Sequence, residues 1–501
     1  MVTSSSPPLT GDEARRAARN AGALAAARIL SSAALFIWQL ILGRWLGAAE
    51  FGVYGTVGAL FGVGASLAGF GMSVIVIREV ARQRARAGEY LGATLFYQTL
   101  LALLAFIGVT VAALALGYDA QIRGLLAIAA LSLFVDTLGN MAYDQLLAAE
   151  RMTSASAVEV AHILLRIAVA GLALSLGWGL IGVYVVTIGM SLARAGAFWV
   201  LVNRMGVRPQ FPIDRALARS LFINSAPLAL SAAINLAYVQ IDKLMSTSLL
   251  TTTDTGHLNA AFVIVIGVIE ILSTTILIAV FPIMSRAYSA DGDNALFYLL
   301  MEKLAYFTLI ISVPLALAFA LFADAITIPL FGVDFAPAAD LLRALMIYAS
   351  ITMIVNVFAQ GMYARNRQRH FVTIRAAGLG FKLLLNLILL PVVGVIGAAL
   401  ASLLAESLVL ALAARDYPLQ WRRIGRGVLR VGAAGAGCAL IMFAFGSLLP
   451  YLGIVAGLLA YPLLIMAARA LAQDDRDLLY RLIEAMPMGG RMLRLLRRPA
   501  R

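Results

Sequence analysis

The chain has 501 residues, of which 62% are hydrophobic and only 13% are charged, and its mean hydropathy is +0.91. These values exclude a soluble globular protein and indicate an integral membrane protein. The formal net charge of +13 does not indicate nucleic-acid binding, because the basic residues concentrate in alternate loops between apolar stretches.

Apolar stretches of about 20 residues, each sufficient to cross a hydrocarbon core of roughly 30 Å, recur along nearly the whole chain. Because these stretches are continuous rather than alternating, they predict helices and not the strands of a membrane β-barrel. The predicted fold class is therefore an all-α integral membrane protein with about 14 transmembrane helices.

In chain order, a polar segment (residues 1–21) precedes helices 1 to 6 (22–203), a loop (204–219) and helices 7 to 12 (220–414). Helices 13 and 14 (428–471) and a basic tail (472–501) follow. Every second loop is rich in arginine, which predicts that both termini and the loop at 204–219 are cytoplasmic. The tail, which ends in "RMLRLLRRPAR", is expected to lie along anionic phospholipids.

An internal repeat relates the two six-helix halves at an offset of about 216 positions. The shift aligns Asn140 with Asn356 and Arg166 with Lys382. It maps helices 4 and 5 onto helices 10 and 11, so both halves start on the same side of the membrane and are parallel repeats. In transporters of this plan the substrate path lies between the halves. We therefore predict two six-helix lobes around a central cavity, plus two C-terminal helices.

Helix 7 carries a polar stripe, because residues three or four apart share a helix face. Its members are Ser231, Asn235, Tyr238, Asp242 and Ser246. A carboxylate against lipid costs several kcal/mol, so we expect Asp242 to face a water-filled cavity. Lys243 is turned about 100° away. We expect it to pair with Glu270 or to extend its apolar stem toward the membrane surface.

Five other helices carry stripes of the same kind, and together the six stripes predict a large polar cavity. The members are Arg28, Ser32 and Gln39 on helix 1; Ser132, Asp136, Asn140 and Tyr143 on helix 4; Glu159, His162 and Arg166 on helix 5; Tyr348, Thr352, Asn356 and Gln360 on helix 10; and Arg375, Lys382 and Asn386 on helix 11. Arg166 and Lys382 each lie about ten residues, or roughly 15 Å, into their helices. Two such cations facing each other predict a phosphate-bearing substrate. Arg194 and Arg375 are either functional or snorkelling anchors.

Metal, disulfide and nucleotide chemistry find no support in the sequence. Cys438 is the only cysteine and lies inside a predicted helix, and the three histidines are scattered. The phosphate-loop pattern G-x-x-x-x-G-K-[ST] does not occur, so direct use of ATP is not expected. The chain is accordingly predicted to be a transporter without a cofactor and not an enzyme.

Several motifs together resemble a known family. They are "GRWLGAAEFGVYG" (residues 43–55), "GFGMSVIVIREVAR" (69–82), "SAPLAL" and "VQIDKLM" (within 225–245), "FPIMSR" (281–286) and "PLFGVDFAPAADLL" (329–342). In order and spacing they are similar to the polysaccharide transporter family of lipid-linked oligosaccharide flippases. That family belongs to a superfamily that also holds the multidrug and toxic-compound extrusion proteins.

The resemblance implies ion-coupled export of a polyprenyl-pyrophosphate-linked glycan across the bacterial inner membrane. Glycosyltransferases and a polysaccharide polymerase would be its partners in cell-surface polysaccharide biosynthesis. The candidate substrate contacts are Arg28, Arg166, Lys382, Asn140, Asn235, Tyr238, Asn356 and Gln360. The candidate ion-coupling residues are Asp136, Asp144 and Asp242.

Two alternatives stay open at this point. A multidrug or cation antiporter of the same superfamily would need an acidic, aromatic-lined cavity, whereas helix 1 carries Arg28 and no carboxylate, which favours an anionic substrate. A membrane-embedded polymerase or glycosyltransferase would need a loop or domain that carries a nucleophile, a base or a metal. The loops of this chain are short, and no such group of residues is recognisable in them.

Overall fold

The computed structural model describes residues 11–274, 284–288, 292, 294–418 and 421–470. Every regular element among these residues is a helix, as the continuous apolar runs predict. The helices are α1 (Gly11–Gly69), α2 (Met72–Arg82), α3 (Ala87–Ala115), α4 (Ala120–Ala148), α5 (Met152–Ser175), α6 (Gly179–Arg204), α7 (Arg215–Leu249), α8 (Thr252–Ile269), α9 (Ala295–Leu321), α10 (Ala323–Phe331), α11 (Ala338–Ala364), α12 (Gln368–Val393), α13 (Ile396–Ala414), α14 (Trp421–Gly446) and α15 (Pro450–Ala467). The predicted tail and residues 1–10 of the predicted N-terminal segment lie outside the described residues.

Thirteen stretches of the described chain are long and apolar enough to cross a membrane. The first, Ala26–Arg82, has 57 residues and is broken at Gly47, whose φ of 71° and ψ of 174° are not helical. Glycine tolerates this positive φ because it has no Cβ. A straight helix of that length would extend roughly 85 Å, far more than the hydrocarbon core requires. The stretch therefore provides two crossings, which confirms about 14 spans for the part of the chain that is described.

The helix boundaries confirm the parallel repeat. Helix α4 ends at Ala148 and α11 at Ala364, 216 positions later, while α5 starts at Met152 and α12 at Gln368, again 216 positions later. The turns that join these helices also correspond, because both contain a residue in the left-handed region at the equivalent position. These residues are Glu150 (φ 62°) and Asn366 (φ 55°). The predicted lobe boundaries, 22–203 and 220–414, stay a prediction.

The described helices form two compact units. The first comprises Met1–Val263, Leu330–Pro337 and Leu379–Ala401. Its apolar core joins the second half of α1 to α3 and α4 through side chains such as Val57, Val109 and Leu133. The backbones of α1 and α8 are in close contact, since a Cβ on Gly52 would lie 1.8 Å from the carbonyl oxygen of Thr252. Small residues permit such close packing between membrane helices.

The loop between α3 and α4 is hydrogen-bonded to α7. The Tyr118 hydroxyl in this loop donates to the Leu244 carbonyl oxygen at 2.8 Å. Burial raises the pKa of Tyr118, so its phenol stays protonated and keeps this hydrogen bond. The loop therefore holds the end of α7 in place within the first unit.

The second unit comprises the described residues within Ile264–Pro329 and Ala338–Gly378 and those from Ser402 to Ala470. Its helices α14 and α15 pack on each other and on α9, with Ala318, Met442 and Tyr461 in a shared buried cluster. At one end of this cluster the Tyr306 hydroxyl donates to the Ala470 carbonyl oxygen at 2.7 Å. The last two helices, which have no counterpart in the repeat, are thus anchored to α9.

Candidate functional site

A cavity of about 270 Å³ lies inside the first unit. Its wall is built by α1, α4, α5, α6, α7 and α8. Helix α1 contributes residues from both sides of its break at Gly47. The described residues that line it are Trp38, Gln39, Tyr54, Gly55, Gly58, Ala59, Phe61, Ala129, Ser132, Asp136, Arg166, Ala170, Val183, Tyr184, Thr187, Gln240, Lys243 and Asn259. The wall combines charged and polar side chains with aromatic ones, which is the composition of a ligand site rather than of a packing defect.

Three charged side chains lie on this wall: Arg166 from α5, Lys243 from α7 and Asp136 from α4. Neither Arg166 nor Lys243 forms an ion pair with a carboxylate of the described residues. Two cations against one carboxylate give the wall a net positive charge, and a low-dielectric surrounding strengthens its attraction for an anion.

Uncharged polar groups on the same wall are also without partners. Gln39 Oε1, Gln240 Oε1 and the Tyr184 hydroxyl are buried and form no hydrogen bond with the described residues. Buried polar atoms are nearly always satisfied, so these atoms are available to water or to a ligand in the cavity. The two amide oxygens accept hydrogen bonds, and the tyrosine hydroxyl both donates and accepts them. The wall therefore offers a set of groups suited to hydroxyl-rich or phosphate-bearing molecules.

The structure corrects the expectation for Asp242, which is fully buried and does not line the cavity. Its Oδ2 lies 2.5 Å from Lys382 Nζ, and its Oδ1 accepts a hydrogen bond from Asn386 Nδ2 at 2.8 Å. The ammonium of Lys382 also donates to the Tyr238 carbonyl oxygen at 2.8 Å. Side chains of α12, and not water, cover the part of the polar stripe on α7 that contains Asp242.

The same contacts correct the expectation that Lys382 faces Arg166 across a cavity. Arg166 does line a cavity, whereas Lys382 is 0% exposed and its ammonium is held by Asp242. The cation that shares the cavity with Arg166 is Lys243, which was expected to pair with Glu270 or to reach the membrane surface. Lys243 is only 9% exposed and lines the cavity together with Arg166 and Asp136.

Other predicted residues lie apart from the cavity. Asn140 accepts a hydrogen bond from Arg194 Nη2 at 2.9 Å, and Arg194 also pairs with Glu159 at 2.8 Å. Asp144 is buried and does not line the cavity. These contacts show that Arg194 is an ion-paired residue and not a snorkelling anchor.

The remaining predicted residues are distributed over both units. Arg28 is exposed on α1, and Asn235 Nδ2 donates to the Ser231 carbonyl oxygen at 2.9 Å. Tyr238 is buried, with its ring under the Lys382 ammonium at 4.7 Å from the centroid. Asn356 and Gln360 are half-buried on α11 in the second unit. Of the predicted substrate and coupling residues, the cavity brings together only Arg166 and Asp136.

Sequence reasoning missed Lys243, Gln240, Tyr184 and Asn259 as members of the wall. One signal was present, because Gln240 and Lys243 are three residues apart and hence share a face of α7. That second polar face was obscured by the longer stripe through Asp242.

The chain matches the family model described as "Polysaccharide biosynthesis protein" over residues 17–288. Comparison with curated protein sequences finds no match.

Among solved structures, the chain is similar to "Lipid II flippase MurJ, inward closed conformation", with a TM-score of 0.73, 14% sequence identity and coverage of 89% of this chain and 98% of that one. It is also similar to an inward-facing multidrug resistance MATE family transporter of the MOP superfamily (TM-score 0.62, 16% identity, 76% of this chain and 94% of that one). A MOP superfamily transporter from Pyrococcus furiosus gives a TM-score of 0.51 at 16% identity, covering 79% and 95%. These likenesses show that the fold is that of this group of membrane transporters. Since the family model covers more than half of the chain, this protein belongs to the polysaccharide biosynthesis protein family.

Proposed function

We propose that the protein is a flippase that moves a polyprenyl-pyrophosphate-linked oligosaccharide from the cytoplasmic to the periplasmic leaflet of the bacterial inner membrane, by alternating access, for cell-surface polysaccharide biosynthesis. The family and the transporter fold support this function. The observation that carries the proposal is the net-positive cavity of the first unit, with Arg166 and Lys243 on its wall. The similar structure named as a lipid II flippase makes a lipid-linked glycan the first substrate class to test.

The chemistry of the wall matches a pyrophosphate headgroup. A guanidinium presents a planar fork of donors to phosphate oxygens, and an ammonium adds a point charge that adjusts to their position. Gln39, Gln240 and Tyr184 supply acceptors and donors for the adjoining sugar hydroxyls. A cavity of about 270 Å³ is small for a ligand pocket. We propose that it holds the diphosphate and the nearest sugar, while the polyprenyl chain stays in lipid.

We further propose that transport is ion-coupled. Asp136 is the strongest coupling candidate, because its carboxylate shares the cavity wall with the two cations. Asp144 is a second candidate, buried at 6% exposure on the same helix. Arg28, Asn140, Asn235, Asn356 and Gln360 remain proposed contacts of the substrate along its path.

The test removes the two cavity cations together. An Arg166→Ala, Lys243→Ala double variant should reduce surface glycan at least tenfold and lead to accumulation of the lipid-linked precursor in the cytoplasmic leaflet. The matched control is Arg123→Ala with Arg204→Ala, which removes two exposed arginines and equal charge. Both variants should be present in the membrane at wild-type amounts. Wild-type surface glycan in the Arg166, Lys243 double variant would contradict the proposed role of the cavity.

One observation favours a second function, export of organic cations. Asp136 lines the cavity together with Trp38, Tyr54 and Tyr184. The faces of such aromatic rings attract cations. The two basic residues on the same wall oppose this reading. A drug-susceptibility panel on a deletion strain separates the two functions, since an exporter of cations should lower the minimal inhibitory concentrations of cationic dyes when it is deleted, and a flippase should not.

A further inference from the structure

A second group of polar residues in the first unit takes no part in the cavity. At its centre is the ammonium of Lys382, which is 0% exposed in the middle of α12. Two oxygens contact it directly: Asp242 Oδ2 at 2.5 Å and the Tyr238 carbonyl oxygen at 2.8 Å. Its third neighbour is the Tyr238 ring, whose centroid lies 4.7 Å away. Oxygens and an aromatic face thus converge on one positive charge.

Two more buried oxygens lie one helical turn from these residues, on Asn386 and Ser246. Asn386, one turn from Lys382, donates its amide to Asp242 Oδ1 at 2.8 Å, while its own Oδ1 is buried and accepts no hydrogen bond from the described residues. Ser246, one turn beyond Asp242, is fully buried, and its Oγ is likewise without a partner among the described residues.

This arrangement has the composition of a cation site. Carboxylate, carbonyl and hydroxyl oxygens are the ligands that hard cations take in proteins. A carbonyl oxygen already bonded within its helix keeps a second lone pair for such a contact. Burying Asp242 without a positive charge would be strongly unfavourable in a membrane helix. Here the side chain of Lys382, and not a free ion, supplies the positive charge.

We propose that Asp242 and the Tyr238 carbonyl form a monovalent cation site that is permanently filled by the ammonium of Lys382. Asn386 Oδ1 and Ser246 Oγ, which form no hydrogen bond with the ammonium, would be further ligands for a free ion in its place. The contact between α7 and α12 is therefore neutral without any cation from solution. Shortening Lys382 to alanine removes three methylene groups and the charge together, and it opens the site to a free sodium ion. This inference is independent of the substrate proposed above.

The test measures binding of radioactive sodium to the purified full-length protein in detergent, with choline chloride as the background salt. Wild-type protein should show no saturable binding that depends on Asp242. Lys382→Ala should bind about one sodium ion per chain, and adding Asp242→Asn should abolish that binding. Lys382→Met is the matched control, because it also lacks the ammonium but fills the space with an apolar chain. Its affinity for sodium should be at least tenfold lower than that of Lys382→Ala.

Two results would overturn the proposal. One is sodium binding by the wild-type protein that Asp242→Asn removes, since Lys382 would then not occupy the site. The other is a folded Lys382→Ala variant, monodisperse in gel filtration, that binds no sodium. If Lys382→Ala cannot be purified in choline chloride, purification in sodium chloride should restore it. Wild-type melting temperatures give a further test without any variant at this position, because they should be equal in sodium and choline salts.

Discussion

The two copies of the repeat have the same helix boundaries around one turn but differ in what their central cations contact. At an offset of 216 positions, the end of α4 matches the end of α11, the start of α5 matches the start of α12, and the turns between them share a left-handed residue. At equivalent positions, Arg166 lines a cavity and Lys382 is buried against Asp242. One turn further along, the first copy has Ala170 on the cavity wall where the second has Asn386 bonded to Asp242. The small side chain of Ala170 leaves space for a ligand in the first copy. In the second copy the amide of Asn386 fills the equivalent space.

A second difference between the copies is the sense of an ion pair. In the first copy, Glu159 on α5 pairs with Arg194 on α6 at 2.8 Å. In the second copy, the position equivalent to Glu159 is Arg375, which pairs with Glu406 on α13 at 2.9 Å. In each copy an ion pair thus joins the fifth and sixth helices with the charges in the opposite order, although, at the offset of 216 positions, Glu406 lies four positions before the equivalent of Arg194. The two copies keep a salt bridge between these helices but not its direction.

The largest expected effect separates Lys382 from Arg166. Lys382→Met removes the cation that lies 2.5 Å from the buried Asp242 carboxylate, and breaking such a pair typically costs about 3–5 kcal/mol. Arg166→Met removes a cation that has no ion-pair partner among the described residues, so its stability loss should be below about 1 kcal/mol. Thermal melting of both variants in choline chloride, followed by fluorescence-detected gel filtration, measures the difference. Equal losses would show that Arg166 also has a structural role.

The reversed ion pairs should differ in strength by a smaller amount. Glu406 is 0% exposed and Glu159 is 30% exposed, so loss of the arginine partner is more costly at Glu406. Arg375→Met should cost about 2–4 kcal/mol, and Arg194→Met about 1 kcal/mol. The double variant Arg375→Glu, Glu406→Arg should recover part of the melting temperature that Arg375→Glu loses. A double variant no better than the single one would argue against a simple charge requirement.

The packed and open faces of α1 should respond differently to one added methyl group. A Cβ on Gly52 would lie 1.8 Å from the Thr252 carbonyl oxygen. A Cβ on Gly58, which lines the cavity, would meet no atom within 4 Å. Gly52→Ala should therefore destabilise by about 1–3 kcal/mol, and Gly58→Ala should leave the melting temperature unchanged or slightly raised. Gly58→Leu should fill the cavity and reduce surface glycan without unfolding the protein. Transport by Gly58→Leu at the wild-type rate would argue against the cavity as the substrate site.

The smallest expected effect concerns the turns of the two copies. Glu150 and Asn366 both have a positive φ, which asparagine tolerates better than glutamate. Glu150→Asn should raise stability by about 0.5 kcal/mol, since the exposed pair of Glu150 with Arg84 at 3.5 Å adds little. Asn366→Glu should lower it by a similar amount. Chemical denaturation of the two variants, made in parallel, checks whether the turns are equivalent.

The spans, the repeat and the polar faces were predictable from the sequence because hydrophobic length and 3.6-residue periodicity are local properties. The break at Gly47 lies within "GRWLGAAEFG", a stretch that the sequence also places between two apolar runs. The partners of Asp242 and Lys243 were not predictable in this way. Periodicity predicts which residues share a helical face but not which other helix packs against that face. Lys382, the partner of Asp242, lies 140 positions away along the chain, so no local pattern connects the two. The repeat suggested equal surroundings for Arg166 and Lys382, and the change from Ala170 to Asn386 made them different.

The neutral contact between Lys382 and Asp242 has an electrical consequence. A membrane potential does work only on net charge, about 2.3 kcal/mol for each elementary charge moved through 100 mV. An ammonium and a carboxylate that travel together contribute nothing to that work, however far α7 and α12 shift during a cycle. The wall with Arg166, Lys243 and Asp136 carries one uncompensated charge. This ion pair should therefore contribute nothing to the voltage sensitivity of the protein, whereas the charged cavity and the anion that fills it should contribute to it.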